Sequence, residues 1–97
     1  MENREYLNSL FDIYKELLTN IEQDTFIDYY REDLSLSEIA LNRGISKSSV
    51  GKTLKQVIAK LESYENILHI YKTNQKLISL LDINNIENIK KEIKVIL

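Results

Sequence analysis

Cysteine and proline are absent from this 97-residue chain, glycine occurs only at Gly44 and Gly51, and His69 is the single histidine. Each shortage excludes something. Without cysteine there is no disulfide framework and no thiolate metal site. One histidine rules out a two-histidine zinc site within the chain and leaves a Ser-His-Asp triad little to build on. Two separated glycines cannot form a glycine-rich phosphate loop. They also supply too few turns for an all-β protein. No apolar run approaches the roughly 18 residues that a membrane span needs. The acids Glu2, Glu5, Asp12, Glu16, Glu22, Asp24 and Asp28 near the start are foreign to a signal peptide. What remains is an expected cytoplasmic, all-α protein that binds something, with no cofactor and no metal implied. The length fits one small domain, which buries only about 60–65% of its unfolded surface. A second subunit would supplement so modest a core.

The net charge of −2 hides a segregation. Residues 1–34 carry Arg4, Lys15 and Arg31 against nine acids. Residues 35–61 carry Arg43, Lys47, Lys52, Lys55 and Lys60 against Glu38 alone. The remainder is balanced. A basic middle in an acidic chain suits contact with nucleic acid. A solvated, lysine-rich helix face would give the same count, so charge alone leaves both readings open.

Apolar periodicity divides the chain into helices. Tyr6, Leu7, Leu10, Tyr14, Leu17 and Leu18 predict a first helix over Glu5 to Leu18, with Phe11 widening its stripe. Thr19 and Glu22 stand in capping-box positions and open a second helix to about Arg31, with Phe26, Ile27 and Tyr30 inward. Tyr29 and Tyr30 are expected to be core and rim, although a stacking platform for bases has the same composition. Ser35 and Glu38 form a second capping box, and Leu36, Ile39 and Ala40 the buried stripe of a short third helix.

The next junction carries the most information. Glu38-Ile39-Ala40, Gly44-Ile45-Ser46 and Val50 follow the pattern of a helix-turn-helix. Ala40 is small where two helices cross. Gly44 takes the left-handed conformation that ends the third helix. Ile45 and Val50 are expected to bury between the helices, and Ser46 caps the fourth. The fourth helix would be the recognition helix, its first turns aimed at bases or phosphates. Such units also bind proteins, so the motif fixes fold more firmly than target.

Val50, Leu54, Val57, Leu61, Tyr64, Leu68 and Tyr71 alternate spacings of four and three, and Gln75 and Ile78 continue the seam. A helix unbroken from Ser46 to Leu81 would span roughly 54 Å, too long to bury its seam within one small domain. His69 is expected at the rim of that helix. Asn84 and Glu87 then cap a final helix whose one face is Ile86, Ile89, Ile93 and Ile96 and whose other is Lys90, Lys91 and Lys94. A basic amphipathic helix can lie on a membrane, but an apolar seam upstream offers it a nearer role. The chain thus divides into a helix-turn-helix domain over 1–61 and a helical extension over 62–97 for dimerisation. The expected dimer interface is Leu61, Tyr64, Leu68, Tyr71, Ile78, Ile89 and Ile93. An intrachain hairpin is the alternative.

Leu10-Phe11-Asp12-Ile13-Tyr14, Leu17-Leu18-Thr19, Tyr29-Tyr30, Asp33 to Ala40, Gly44-Ile45-Ser46, Val50, Leu61-Glu62, Tyr64-Glu65 and Leu68 together resemble the YlxM family of helix-turn-helix proteins, across residues 6–71. The wider resemblance is to region 4 of bacterial sigma factors, which reads promoter DNA. The resemblance implies a non-enzymatic protein, encoded beside the signal recognition particle GTPase and acting as a regulator of that pathway. Its implied partners are the particle's RNA, its GTPase subunit, or both. A dimeric DNA-binding transcription regulator is the alternative that the motif alone favours, and a purely structural interaction module is a third. The expected nucleic-acid-binding residues are Arg43, Ser46, Lys47, Ser48, Ser49, Lys52 and Lys55. Where the family usually places Arg after the serine cap, this chain has Lys47, which lacks the planar fork for guanine or phosphate. Gly51 follows in the helix interior, at about 1 kcal/mol relative to Ala. Lysines and small hydroxyls suit phosphate contacts, which position without specifying sequence. Ser46, Ser48 and Ser49 have no base near them in sequence that would make one a nucleophile.

Overall fold

The structure is a computed structural model that describes residues 3–81. Within that span every element is helical: α1 (Arg4–Tyr14), a 3-10 turn (Lys15–Leu17), α2 (Asn20–Tyr30), α3 (Leu36–Arg43), α4 (Lys47–Leu68) and α5 (Ile70–Leu81). The all-α, helix-turn-helix class expected from the sequence is the class observed. The final helix expected after Asp82, with Ile89 and Ile93, lies outside the described residues.

Side chains start each of the first four helices. Asn3 accepts from the Tyr6 N–H, and both capping boxes, Thr19 with Glu22 and Ser35 with Glu38, are closed in each direction. Ser46 accepts from the Ser49 N–H at 3.1 Å. Each cap satisfies amides that an isolated helix start leaves free. At the end of α3, Gly44 has φ +65°, and the Ile45 N–H bonds the Ala40 carbonyl at 3.1 Å. This is the closure that a left-handed glycine permits.

α4 is the common wall of the core. Its stripe of Val50, Leu54, Val57 and Leu61 is buried against Leu7, Leu10, Phe11 and Tyr14 of α1, Phe26 and Tyr30 of α2, and Ile39 and Ala40 of α3. The rings of Phe11 and Phe26 stack with centroids 4.2 Å apart. As expected, Tyr30 is core and Tyr29 half-buried rim, their rings edge to face at 4.9 Å.

Three sequence expectations require correction. The first helix stops at Tyr14, and the tighter turn that follows rotates Leu17 out to 53% exposure while Leu18 stays buried. Ile45 is 46% exposed, whereas Val50 is buried with Ile39 and Ala40 in the core. The turn that bonds the Ile45 amide back to Ala40 leaves its side chain at the rim. Most consequentially, the heptad seam does not continue as one helix. His69 adopts φ +53° and divides α4 from α5, so it is a junction residue rather than a rim residue of a long helix.

Glu65 explains the break. Its buried carboxylate accepts from the Tyr14 hydroxyl at 2.6 Å, from the Tyr71 N–H at 2.9 Å and from the Lys72 N–H at 3.0 Å. The Tyr14 hydroxyl in turn accepts from the Ile70 N–H at 3.3 Å. One carboxylate therefore caps the start of α5, where amides and dipole favour negative charge. A straight helix would have no free amides there to offer. Tyr71 packs edge-on against Tyr6 at 5.0 Å, which ties α5 back to α1. Beyond this contact α5 is amphipathic with no buried residue, and Leu77, Ile78 and Leu81 face outward.

Burial raises the Glu65 pKa, but the hydrogen bonds from Tyr14, Tyr71 and Lys72 outweigh it and, with His69 nearby, hold the carboxyl below its usual value. Glu22 behaves alike: burial raises it, while bonds from Lys60 and Thr19 bring it down. The stabilisation from both is complete above the ordinary carboxylate range near pH 4–5 and is lost as pH falls through the depressed folded values. Glu65→Ala is expected to cost about 2–4 kcal/mol in urea unfolding at pH 7, because a buried hydroxyl and two amides lose a charged acceptor. Glu65→Gln should also flatten the fall in melting temperature between pH 7 and pH 3. Wild-type stability at both would contradict this account of the α4–α5 junction.

Candidate nucleic-acid interface

The helix-turn-helix sets which basic side chains can meet a ligand. Val50, Leu54 and Val57 fix the rotation of α4 by facing the core. On the outward side, Lys47, Gly51 and Lys55 then make one ridge of i, i+4, i+8 spacing, and Ser48 and Lys52 the ridge beside it. With Leu36 from the start of α3, these five residues line an open groove of about 610 Å3. Among the described residues no carboxylate lies within ion-pair distance of Lys47, Lys52 or Lys55. Three cations unpaired among the described residues therefore share one groove.

The other two bases of the segment are engaged elsewhere. Arg43 turns back onto α2, where one guanidinium nitrogen donates to Asp28 at 2.7 Å and another to the Thr25 hydroxyl. Lys60 lies on the other flank of α4 and pairs with Glu22 at 2.8 Å. That contact raises the Lys60 pKa. These two residues tie α3 and α4 to α2 and are absent from the groove lining. The hydroxyls divide in the same way. Ser46 and Ser49 bond each other at 3.0 Å within the α4 cap, leaving Ser48 as the hydroxyl that lines the groove.

Of the residues expected to touch nucleic acid, the structure thus brings Lys47, Ser48, Lys52 and Lys55 together. It places Arg43, Ser46 and Ser49 in internal contacts. Leu36 and Gly51 are groove residues that charge and capping patterns did not single out as site members. The i, i+4, i+8 register of Gly51 with Lys47 and Lys55 was the available signal for one of them. The residues expected at a dimer interface are also dispersed. Leu61 is fully buried in the core of its own chain. Tyr64 donates to the Leu17 carbonyl at 3.3 Å, and Tyr71 packs on Tyr6. Leu68 and Ile78 are each 49% exposed. No helix among the described residues is long and apolar enough to cross a membrane.

The family model described as "Putative helix-turn-helix protein, YlxM / p13 like" matches residues 1–96. The chain belongs to this family. A UPF0122 protein of Ureaplasma parvum is 41% identical over 91 residues, covering 94% of this chain and 92% of the relative. A UPF0122 protein of Mycoplasma capricolum is 47% identical over 81 residues, covering 84% and 70%. One from Oceanobacillus iheyensis is 41% identical over 76 residues, covering 78% and 72%. Membership of this helix-turn-helix family supports a nucleic-acid-binding regulatory role.

The division of the basic residues has a measurable consequence. Arg43→Ala should lower unfolding free energy by about 1–3 kcal/mol, since it removes charged hydrogen bonds to partly buried partners. Lys52→Ala should change it by no more than about 0.5 kcal/mol, as for an exposed side chain without partners. Chemical denaturation of both variants checks this. A neutral Arg43→Ala would place that side chain in solvent instead.

Proposed function

We propose that this protein is a non-enzymatic accessory or regulatory factor of the signal recognition particle pathway that binds the particle's RNA, its GTPase subunit, or both, in the cytoplasm. The observation that carries the nucleic-acid part is the convergence of Lys47, Lys52 and Lys55, unpaired among the described residues, on one groove beside the turn. Phosphates are the ligand that such a surface attracts. The pathway itself rests on the resemblance to the YlxM family. A dimeric DNA-binding transcription regulator is the second reading, favoured by the left-handed Gly44 turn and the Ser46-capped helix that follows.

We further propose that residues 1–61 make the nucleic-acid contact and residues 62–97 the self-association. Leu68, Leu77, Ile78 and Leu81 leave an apolar strip on and before α5 that a second copy would cover, and Ile89 and Ile93 of the tail would extend it. Two-fold pairing of this strip is isologous and sets two grooves side by side.

Two measurements follow. In a binding titration over salt, log K should fall against log salt with a slope of about −2.7 per subunit for duplex DNA, and Lys47→Ala, Lys52→Ala or Lys55→Ala should each flatten it by about one. Binding indifferent to salt and to these substitutions would overturn the groove assignment. Light scattering at micromolar concentration should give about twice the 11.4 kDa chain mass, and the monomer mass would overturn the self-association.

A further inference from the structure

The groove has a second chamber. Behind Gly51 and Lys55, Tyr29, Leu36, Leu54 and Ile58 wall a notch of about 150 Å3. Leu36, Gly51 and Lys55 line both spaces, so the notch opens into the lysine groove. A volume of roughly 150 Å3 with largely apolar walls is enough to hold one six-membered aromatic ring. The Tyr29 ring stands edge-on to Tyr30, 81° between planes.

Gly51 has no internal reason to be glycine. It lies within α4 in ordinary helical backbone, and a Cβ built there meets no protein atom within 4 Å. Neither positive φ nor close helix packing demands it, yet a helix-interior glycine is destabilising. The space that its missing side chain leaves is the passage between groove and notch. The residues lining the groove include no Arg, Asn or Gln, so the planar forks that grip guanine and adenine edges are missing there. A surface that attracts phosphates, lacks planar forks for paired bases and opens into a largely apolar notch fits a strand whose base has left its stack. Unpaired bases are recognised by aromatic and apolar contact of this kind.

We propose that the notch takes one unpaired nucleobase of a nucleic acid whose phosphates lie on Lys47, Lys52 and Lys55. The ligand class is a bulged or single-stranded nucleotide flanked by a phosphate backbone, in RNA or in DNA. This deepens the proposed function and rests on its assignment of the groove to nucleic acid. Gly51 is a positioning residue that keeps the passage open.

The test is fluorescence anisotropy with the full chain and three labelled probes: a plain duplex, the same duplex with one bulged nucleotide, and the single strand, each as RNA and as DNA. The bulged probe should bind on the order of tenfold more tightly than the plain duplex, the scale of one stacked base. Gly51→Leu should bring the ratio of bulged to plain affinity down to about one, whatever it does to duplex binding itself, and Gly51→Ala should reduce that ratio. Both variants should melt at or above the wild-type temperature, because each is a better helix former than glycine. Preference for the bulge in either sugar chemistry supports the proposal and names the source. Equal affinity for plain and bulged duplex, or a preference that survives Gly51→Leu, overturns it. If Lys52→Ala still weakens every probe in that case, the groove assignment stands without the notch. Binding to none of the probes overturns both.

Discussion

α4 can bury only one stripe, and the rotation set by Val50, Leu54, Val57 and Leu61 determines what every other side chain of that helix can do. Three helices pack on this stripe, so its rotation is over-determined. Lys60 then falls on the flank that faces Glu22, whereas Lys47, Lys52 and Lys55 fall where no described carboxylate reaches. The candidate site is thus a by-product of core packing in the strict sense: the hydrophobic stripe fixes the helix, and the lysines inherit their positions. Arg43 belongs to the same frame from the other side, since its bonds to Thr25 and Asp28 hold the end of α3 against α2.

A second carboxylate organises the far end. Glu65 joins Tyr14 of α1 to the first amides of α5, and its burial is offset by three hydrogen bonds. Without such an acceptor, the Tyr71 and Lys72 amides would need water or an unbroken helix. His69 tolerates the left-handed backbone better than a branched residue would, and the direction change it permits is what presents the apolar side of α5 to the outside. The two ends of α4 are in this way handled by opposite chemistry, a serine cap and open lysines at one, a buried acid at the other.

Local signals in the sequence are legible because their physics is local. Thr19 with Glu22, Ser35 with Glu38, Gly44, and Ser46 each act over three to five residues, and each forms as its spacing implies. The core stripe of α4 was legible for the same reason, as far as Leu61. The heptad pattern failed beyond that point because Glu65 sits off the seam. Periodicity weighs apolar positions and is blind to a carboxylate that can reach another helix. Ile45 was placed inward by the general motif, but its exposure depends on how the Gly44 turn closes. The site was legible as a basic segment and not as a surface. Nothing within residues 35–61 distinguishes Arg43 and Lys60 from the three groove lysines, because their partners Asp28 and Glu22 come from α2. Gly51 stood out only as a misplaced helix residue until the groove and notch gave it a location.

Among the described residues, the outward face of α4 is the proposed contact with nucleic acid. Amide chemical shifts recorded while a short RNA or DNA duplex is titrated into labelled protein test this most directly. The account predicts that perturbations concentrate at Lys47, Ser48, Gly51, Lys52, Lys55 and Leu36, with those of α1 and α5 unmoved. Perturbations centred on α5 or on the acidic α1–α2 surface, with Lys47 to Lys55 silent, would contradict it.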